Sequence, residues 1–207
     1  LVGSEMCIRD RGGPARNILP YLIDTLPTLP SAGIANEYDT GYLDLPVLSV
    51  ERIYPPRRIL VTFGGTDQAQ LTERAGLMLD SHNIPPEQWC VTKGPFFART
   101  FAWPGIKILE NPNVREILPE FDLVITHFGM TAFEAIASGA NVILLNPTQY
   151  HEKLAQIAGF PSLGVKEIHR NLQDDFLAYI MGKKTTHYWN HRVKFNPRKN
   201  LAERLLT

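Results

Sequence analysis

The chain has 207 residues, 44% hydrophobic and 20% charged, and its 21 basic and 21 acidic side chains leave no formal net charge. That balance describes a soluble, globular protein and excludes a disordered chain, a basic nucleic-acid footprint and a charged interaction tail. No apolar run reaches the ~18 residues of a membrane-spanning helix, which leaves only a peripheral membrane contact open. Cys7 and Cys90 form neither a metal-ligand spacing nor a disulfide framework, so a reducing cytoplasm is the expected compartment.

Residues 1–11, LVGSEMCIRDR, resemble a peptide that recurs as translated sequencing-adapter read-through at the ends of assembled gene fragments. They are expected to form an artefactual tail outside the fold, and the chain to be a fragment whose natural N-terminus lies upstream. The segment has neither the apolar core nor the small-residue cleavage site of a signal peptide. Residues 12–56 are rich in proline and glycine. NILPYLIDTLPTLP predicts a short helix ending near Pro27, and NEYDTGYLDLPVLSVERIYPP predicts irregular chain. Together they are expected to be the remnant of an N-terminal domain plus a linker.

From Arg57 the pattern changes. RILVTF (58–63) is a β-branched apolar run ended by Gly64-Gly65, the mark of a buried strand. QAQLTERAGLMLDSH (68–82) has helical spacing. QWCVTKG (88–94) and IKILE (106–110) predict two further strands. Asn113 is placed to cap a short helix, NVREILPEF, with Glu116 at the capping-box distance. DLVITH (122–127) is a fourth strand, and TAFEAIASG (131–139) a helix stopping at Gly139. NVILLN (141–146) is a fifth strand, followed by a helix over QYHEKLAQIAGF (149–160). LGVK (163–166) predicts a short sixth strand and NLQDDFLAYIMGK (171–183) an amphipathic helix. Residues 183–207 are expected to be a C-terminal extension carrying a last helix, RKNLAERLLT. Strands alternating with helices imply an α/β fold, a Rossmann-like parallel sheet with helices on both faces over residues 57–182.

Ligands of such sheets sit beyond the carboxyl ends of the strands, where two loops carry unusual chemistry. Gly64-Gly65-Thr66 lies between a strand and a helix. Its glycines let the backbone turn tightly and approach a ligand, and the next helix start favours phosphate. Asp67 is the expected N-cap of that helix, and would repel a phosphate unless it faces away. The same segment would serve equally as a plain tight turn. GGTDQAQ is neither a P-loop nor a GxGxxG fingerprint, which disfavours a dinucleotide oxidoreductase.

The second loop is His127-Phe128-Gly129-Met130-Thr131. Gly129 and the amides of Met130 and Thr131 open a helix and offer a second anion site. The Thr131 hydroxyl would either cap that helix or bond a diphosphate. Glu134 would either complete a capping box with Thr131 or hold the vicinal hydroxyls of a ribose. His127 has a structural reading, a hydrogen bond at the strand end, and a functional one, a donor to a diphosphate or sugar oxygen. Gln149, His151 and Glu152 begin a helix after Asn146-Pro147-Thr148. They read either as an ordinary polar helix start or, for Gln149, as a partner of sugar hydroxyls. No zinc site is expected.

Strand–GGT–helix, then strand–x-x-G-x-T-x-x-E–helix, then strand–x-P-x-Q–helix resembles the C-terminal domain of the GT-B glycosyltransferases, in the family that includes the peptidoglycan N-acetylglucosaminyltransferase. The GGTD sequence with a following Leu71-Thr72 is nearer the related UDP-sugar hydrolase of the pseudaminic-acid pathway. The resemblance implies a UDP-sugar donor, an acceptor it does not identify, no cofactor and no metal. It implies a diphosphate near Gly64, Gly65, Thr66, His127, Gly129, Met130 and Thr131, a ribose on Glu134, and the donor sugar on Gln149 and Glu152. The nucleobase would lie around Asn111 to Val114. It also implies that the catalytic residues sit in an N-terminal domain, that this chain alone is inactive, and that any contact with the inner membrane comes through that domain. A non-catalytic sugar-nucleotide binding module is the alternative from another class.

Overall fold

The structure is a computed structural model that describes residues 22–29, 35, 37–45, 54–97, 103–168, 170–183 and 193–194. The N-terminal tail and the expected last helix at 198–207 lie outside the described residues. The chain divides into two compact units, residues 1–45 with 193–207, and residues 46–192.

In the smaller unit residues 17–21 of the expected helix lie outside the described residues, and the described part holds a strand instead. Ile23–Asp24 (β1) pairs in parallel with Glu37–Tyr38 (β2). Pro20 and Pro27 leave too few residues between them to repay helix nucleation, and each removes a backbone donor. The segment expected to be irregular also carries a 3-10 turn at Thr40–Tyr42, where the Asp39 carboxylate accepts the Gly41 amide at 2.7 Å. Asp24, itself buried, accepts the Thr28 hydroxyl at 3.0 Å.

The larger unit is built on six parallel strands: β3 (Ile59–Val61), β4 (Trp89–Lys93), β5 (Lys107–Glu110), β6 (Leu123–Thr126), β7 (Asn141–Asn146) and β8 (Ser162–Val165). Their order across the sheet is β5-β4-β3-β6-β7-β8. Every residue of β3, β6 and β7 is buried. That is why these strands read as continuous apolar runs: a parallel sheet is covered on both faces.

On one face Ile59, Val61, Val91, Ile125 and Ile143 pack with Leu71, Ala75 and Leu79 of α1 (Leu71–Ser81). Phe176, Leu177 and Ile180 of α5 (Arg170–Ile180) join the same core. Three helices belong to the other side: α2 (Val114–Ile117), α3 (Met130–Ala137) and α4 (Gln149–Ala158). There Phe128, Phe133 and Phe160 meet edge to face, with ring centroids 5.1–6.2 Å apart. At the amino end of the sheet, the Asp122 carboxylate accepts the Arg57 and Arg58 amides, both at 2.9 Å, and so ties the entry to β3 to the start of β6. No described helix is long and apolar enough to cross a membrane.

The helix ends show which local signals held. α3 stops at Gly139, as its glycine implies: Gly139 has φ +91°, its amide bonds Ile136 O and the Ala140 amide bonds Ala135 O. The expected capping box at α2 does not form. Asn113 stands at the N-cap, but its side-chain amide donates to Glu116 Oε1 at 2.7 Å and no helix amide reaches the Asn113 side chain. Burial pushes the Cys90 thiol up to about 11, opposed by Lys107, so it serves as a small neutral core group.

Gly76 is buried inside α1 because Trp103 fills the space beside it: a Cβ there would stand 2.4 Å from the indole. Replacing Gly by Ala normally strengthens a helix. Here Gly76→Ala is expected to destabilise the protein by about 1–3 kcal/mol through overpacking. Urea denaturation measures it, and a gain in stability would show that Trp103 can move aside.

Candidate functional site

The strand order reverses between β3 and β6, so the connections leaving these two neighbours run in opposite directions and open a crevice at their carboxyl ends. The loops singled out in the sequence are the two that flank it. Gly64 turns the first at φ +80°, a left-handed conformation that strains any residue with a Cβ. Gly129 is the N-cap of α3 in extended backbone, and among the described residues no side chain is hydrogen-bonded to that helix start.

The His127 ring stands between the loops. Its Nε2 is 3.9 Å from the point a Cβ on Gly64 would occupy, and its Cε1 is 3.5 Å from the equivalent point on Gly129. The ring stacks on Phe63 at 6.2 Å and meets His151 edge-on at 6.0 Å. Nδ1 is 2.9 Å from Phe128 O. A carbonyl only accepts, so Nδ1 carries the proton. Nε2, the atom beside Gly64, then offers a lone pair on the neutral ring and a donor on the protonated one. The strand-end hydrogen bond and the ligand-facing nitrogen are therefore compatible: they use different atoms.

The first helix start is not free. Asp67 does the work of a cap without being the N-cap residue: its two carboxylate oxygens accept the Leu71 and Thr72 amides at 2.9 and 2.8 Å. Gln70 occupies the N-cap position, at φ +59°. The Leu71 and Thr72 amides of α1 are thereby already satisfied. Because α3 begins at Met130, Thr131 lies within its first turn, and the Thr131–Glu134 spacing does not have the N-cap-to-N3 register of a capping box.

Asn146, fully buried at the end of β7, holds the second loop in place. Its Oδ1 accepts the Phe128 amide at 2.9 Å and its Nδ2 donates to Glu152 Oε2 at 2.8 Å. The same Glu152 oxygen accepts the Ser162 hydroxyl at 2.7 Å, and Gln156 reaches Oε1 at 3.3 Å. Glu152 thus sits in a network beneath the crevice, whereas Gln149, at the exposed start of α4, faces solvent. Thr148 caps α4, accepting the His151 amide at 3.4 Å.

A cleft of about 280 Å³ extends from the first loop toward the sheet edge, lined by Thr62, Gly64, Gly65, Thr92, Gly94, Pro95, Asn111, Pro112 and Val114. The segment 111–114 thus shares a cavity with Gly64 and Gly65. Sequence reading missed Gly94. A Cβ there would lie 2.4 Å from Gly65 Cα, so the loop after β4 presses directly on the first glycine loop. Its signal was the Gly94-Pro95 break at the strand end.

The sequence matches no family model and no curated protein. Solved structures with a related backbone include the glycotransferase of kitacinnamycin, at TM-score 0.49 and 13% identity over 81% of this chain and 47% of that one. Another is the Streptomyces sp. SF2575 glycosyltransferase SsfS6 complexed with thymidine diphosphate, at 0.44 and 18% over 82% and 45%. A third is the spinosyn forosaminyltransferase SpnP, at 0.44 and 17% over 79% and 48%. The chain spans less than half the length of each, and at these scores the likenesses decide nothing about function.

Asn146→Ala leaves the Phe128 amide and the Glu152 carboxylate each short of a partner. It is expected to cost about 1–3 kcal/mol and to speed hydrogen exchange at Phe128 ahead of the strand β6 before it. Unchanged exchange at Phe128 would mean that the second loop is held by other contacts.

Proposed function

We propose that residues 57–182 form the nucleotide-diphosphate-sugar-binding half of a glycosyltransferase that uses a UDP-sugar in cell-surface polysaccharide or glycan assembly. One observation carries the reading: two glycine loops meet at the reversal of strand order, with His127 between them and with α3 the helix start there that no side chain caps. An uncapped helix start beside glycine backbone suits a diphosphate. In this reading the diphosphate lies on the Gly129, Met130 and Thr131 amides, faces Gly64, Gly65 and Thr66, and takes a hydrogen bond from protonated Nε2 of His127. Glu134 holds the ribose, and the base enters the cleft at Asn111 to Val114. Gln149 meets the sugar, and Glu152 acts behind it by fixing Asn146. Donors fixed around the departing diphosphate are what would stabilise its developing charge.

A UDP-deoxysugar hydrolase is the second reading, favoured by the GGTD motif. Incubation with UDP-sugars separates the two: free sugar released without an acceptor favours hydrolysis, and strict acceptor dependence rejects it.

Millimolar UDP is expected to raise the melting temperature of the chain, and TDP or purine nucleotides to raise it less. No shift with UDP would remove the basis for the reading. Glu134→Ala is expected to weaken UDP binding by about 1–3 kcal/mol, read by titration calorimetry. Loss of stability with UDP affinity intact would assign Glu134 to the helix instead.

A further inference from the structure

Phe96 and Phe97 are sequence neighbours with opposite fates. Phe97 is buried at 8% exposure, while Phe96 stands 76% exposed, the most exposed large apolar side chain among the described residues. Single exposed apolar residues are ordinary, but this one is held in a particular place. The Phe96 amide donates to Gly65 O at 3.2 Å and the Phe97 amide to Gly94 O at 3.1 Å. The Phe96 ring then lies against the first glycine loop, with Cδ2 3.8 Å from the point a Cβ on Gly65 would occupy. Backbone contact between Gly94 and Gly65 fixes the spacing of the two loops. An aromatic ring is thus presented to solvent by a braced loop, beside the cleft that Gly65, Gly94 and Pro95 help to line. No role was assigned to this loop from the sequence.

We infer that the loop Gly94–Phe97 is an aromatic lip of the donor cleft, on which Phe96 stacks against the planar base of the bound nucleotide, with Gly94 as the positioning residue that sets the lip against Gly65. The inference rests on the UDP-sugar reading above and names an affinity contact within it. The floor beneath offers little competition for the base. The Thr92 hydroxyl donates to the Thr62 hydroxyl at 2.7 Å, so these two buried groups satisfy each other. Stacking also needs no hydrogen-bond code, because every base has a π-face, and it is worth most when the ring is pre-positioned, as the two loop hydrogen bonds make it.

The test is titration calorimetry of the full chain with UDP and with UDP-N-acetylglucosamine, alongside thermal melts without ligand. Phe96→Ala is expected to leave the unliganded melting temperature unchanged, since the ring is exposed, and to weaken both ligands by roughly 5- to 100-fold. Phe96→Trp should bind at least as well as the parent, and Phe96→Leu should resemble Phe96→Ala. Unaltered UDP affinity in Phe96→Ala overturns the inference. So does a loss confined to the UDP-sugar, which would move the ring to the sugar, or full binding by Phe96→Leu, which would reduce it to apolar cover. Failure of the parent chain to bind UDP at all sinks the donor-site reading itself, a result distinct from binding that ignores Phe96.

Discussion

The crevice depends on one buried amide. Asn146 ends the central strand β7 with no exposed surface, and its side chain has one acceptor and one donor group to satisfy. It spends the acceptor on the Phe128 amide and the donor on Glu152. Glu152 brings a carboxylate half into the protein, which is tolerable because Asn146 and Ser162 both donate to it, and Ser162 in turn accepts the Gly164 amide at 3.1 Å. One chain of hydrogen bonds therefore links the loop after β6, the end of β7, the start of α4 and the edge strand β8. Bonds to a charged group are worth about 1.5–3 kcal/mol each, but leaving one partner unmet costs as much again. The network is an all-or-none brace.

That brace gives meaning to the differences among the helix starts at this edge. α1 is closed by the Asp67 carboxylate, and α4 is closed by the Thr148 hydroxyl. α3 has only glycine at its N-cap. Positive potential at a helix start is general, but here a side chain quenches it at α1 and α4 and not at α3, nor at the single-turn α2, whose Asn113 side chain reaches no helix amide. Closing α1 carries a strain. Asp67 lies at φ +38° and Gln70 at φ +59°, left-handed positions that cost roughly 1–2 kcal/mol apiece for residues with a Cβ. Two charge-assisted hydrogen bonds from Asp67 offset it. The first loop is thus a strained backbone edge with its helix screened off, and the second an open helix start.

Legibility in the sequence followed the range of the interactions. The strands β3, β6 and β7 could be read because burial on both faces turns each into an apolar run, and Gly139 could be read because a Schellman end is a local event. The capping box expected at Asn113/Glu116 did not form, and Thr131/Glu134, where a capping box was one of two readings, lacks the register for it. The spacing is correct only when the first residue is the N-cap and its side chain turns toward the helix, and neither condition is written in four residues. Asp67 was identified as a cap for the right chemical reason, but the turn between it and α1 was invisible. The Gly94–Gly65 contact, the Trp103 ring beside Gly76 and the order of the strands are all products of long-range packing. So is the parallel pair β1–β2, where the sequence pointed to a short helix because nothing local shows the partner strand.

If the proposed reading holds, the geometry of the sheet also sets the direction of a bound donor. The crevice lies between β3 and β6, the cleft beside Asn111 lies toward β5, and Gln149 follows β7 on the opposite side. Neighbouring strands are about 4.8 Å apart, so the line from the β4 loop to the β7 loop crosses three spacings, roughly 14 Å. A base, a ribose, two phosphates and a hexose laid end to end need a groove of that order, with the charge in the middle. The open helix start is in the middle. In the proposed reading the outer positions fall to side chains that carry no net charge, Phe96 on one side and Gln149 on the other. A site arranged this way would hold its ligand chiefly by the diphosphate, with a base-tolerant ring at one end and a hydrogen-bonding side chain at the other.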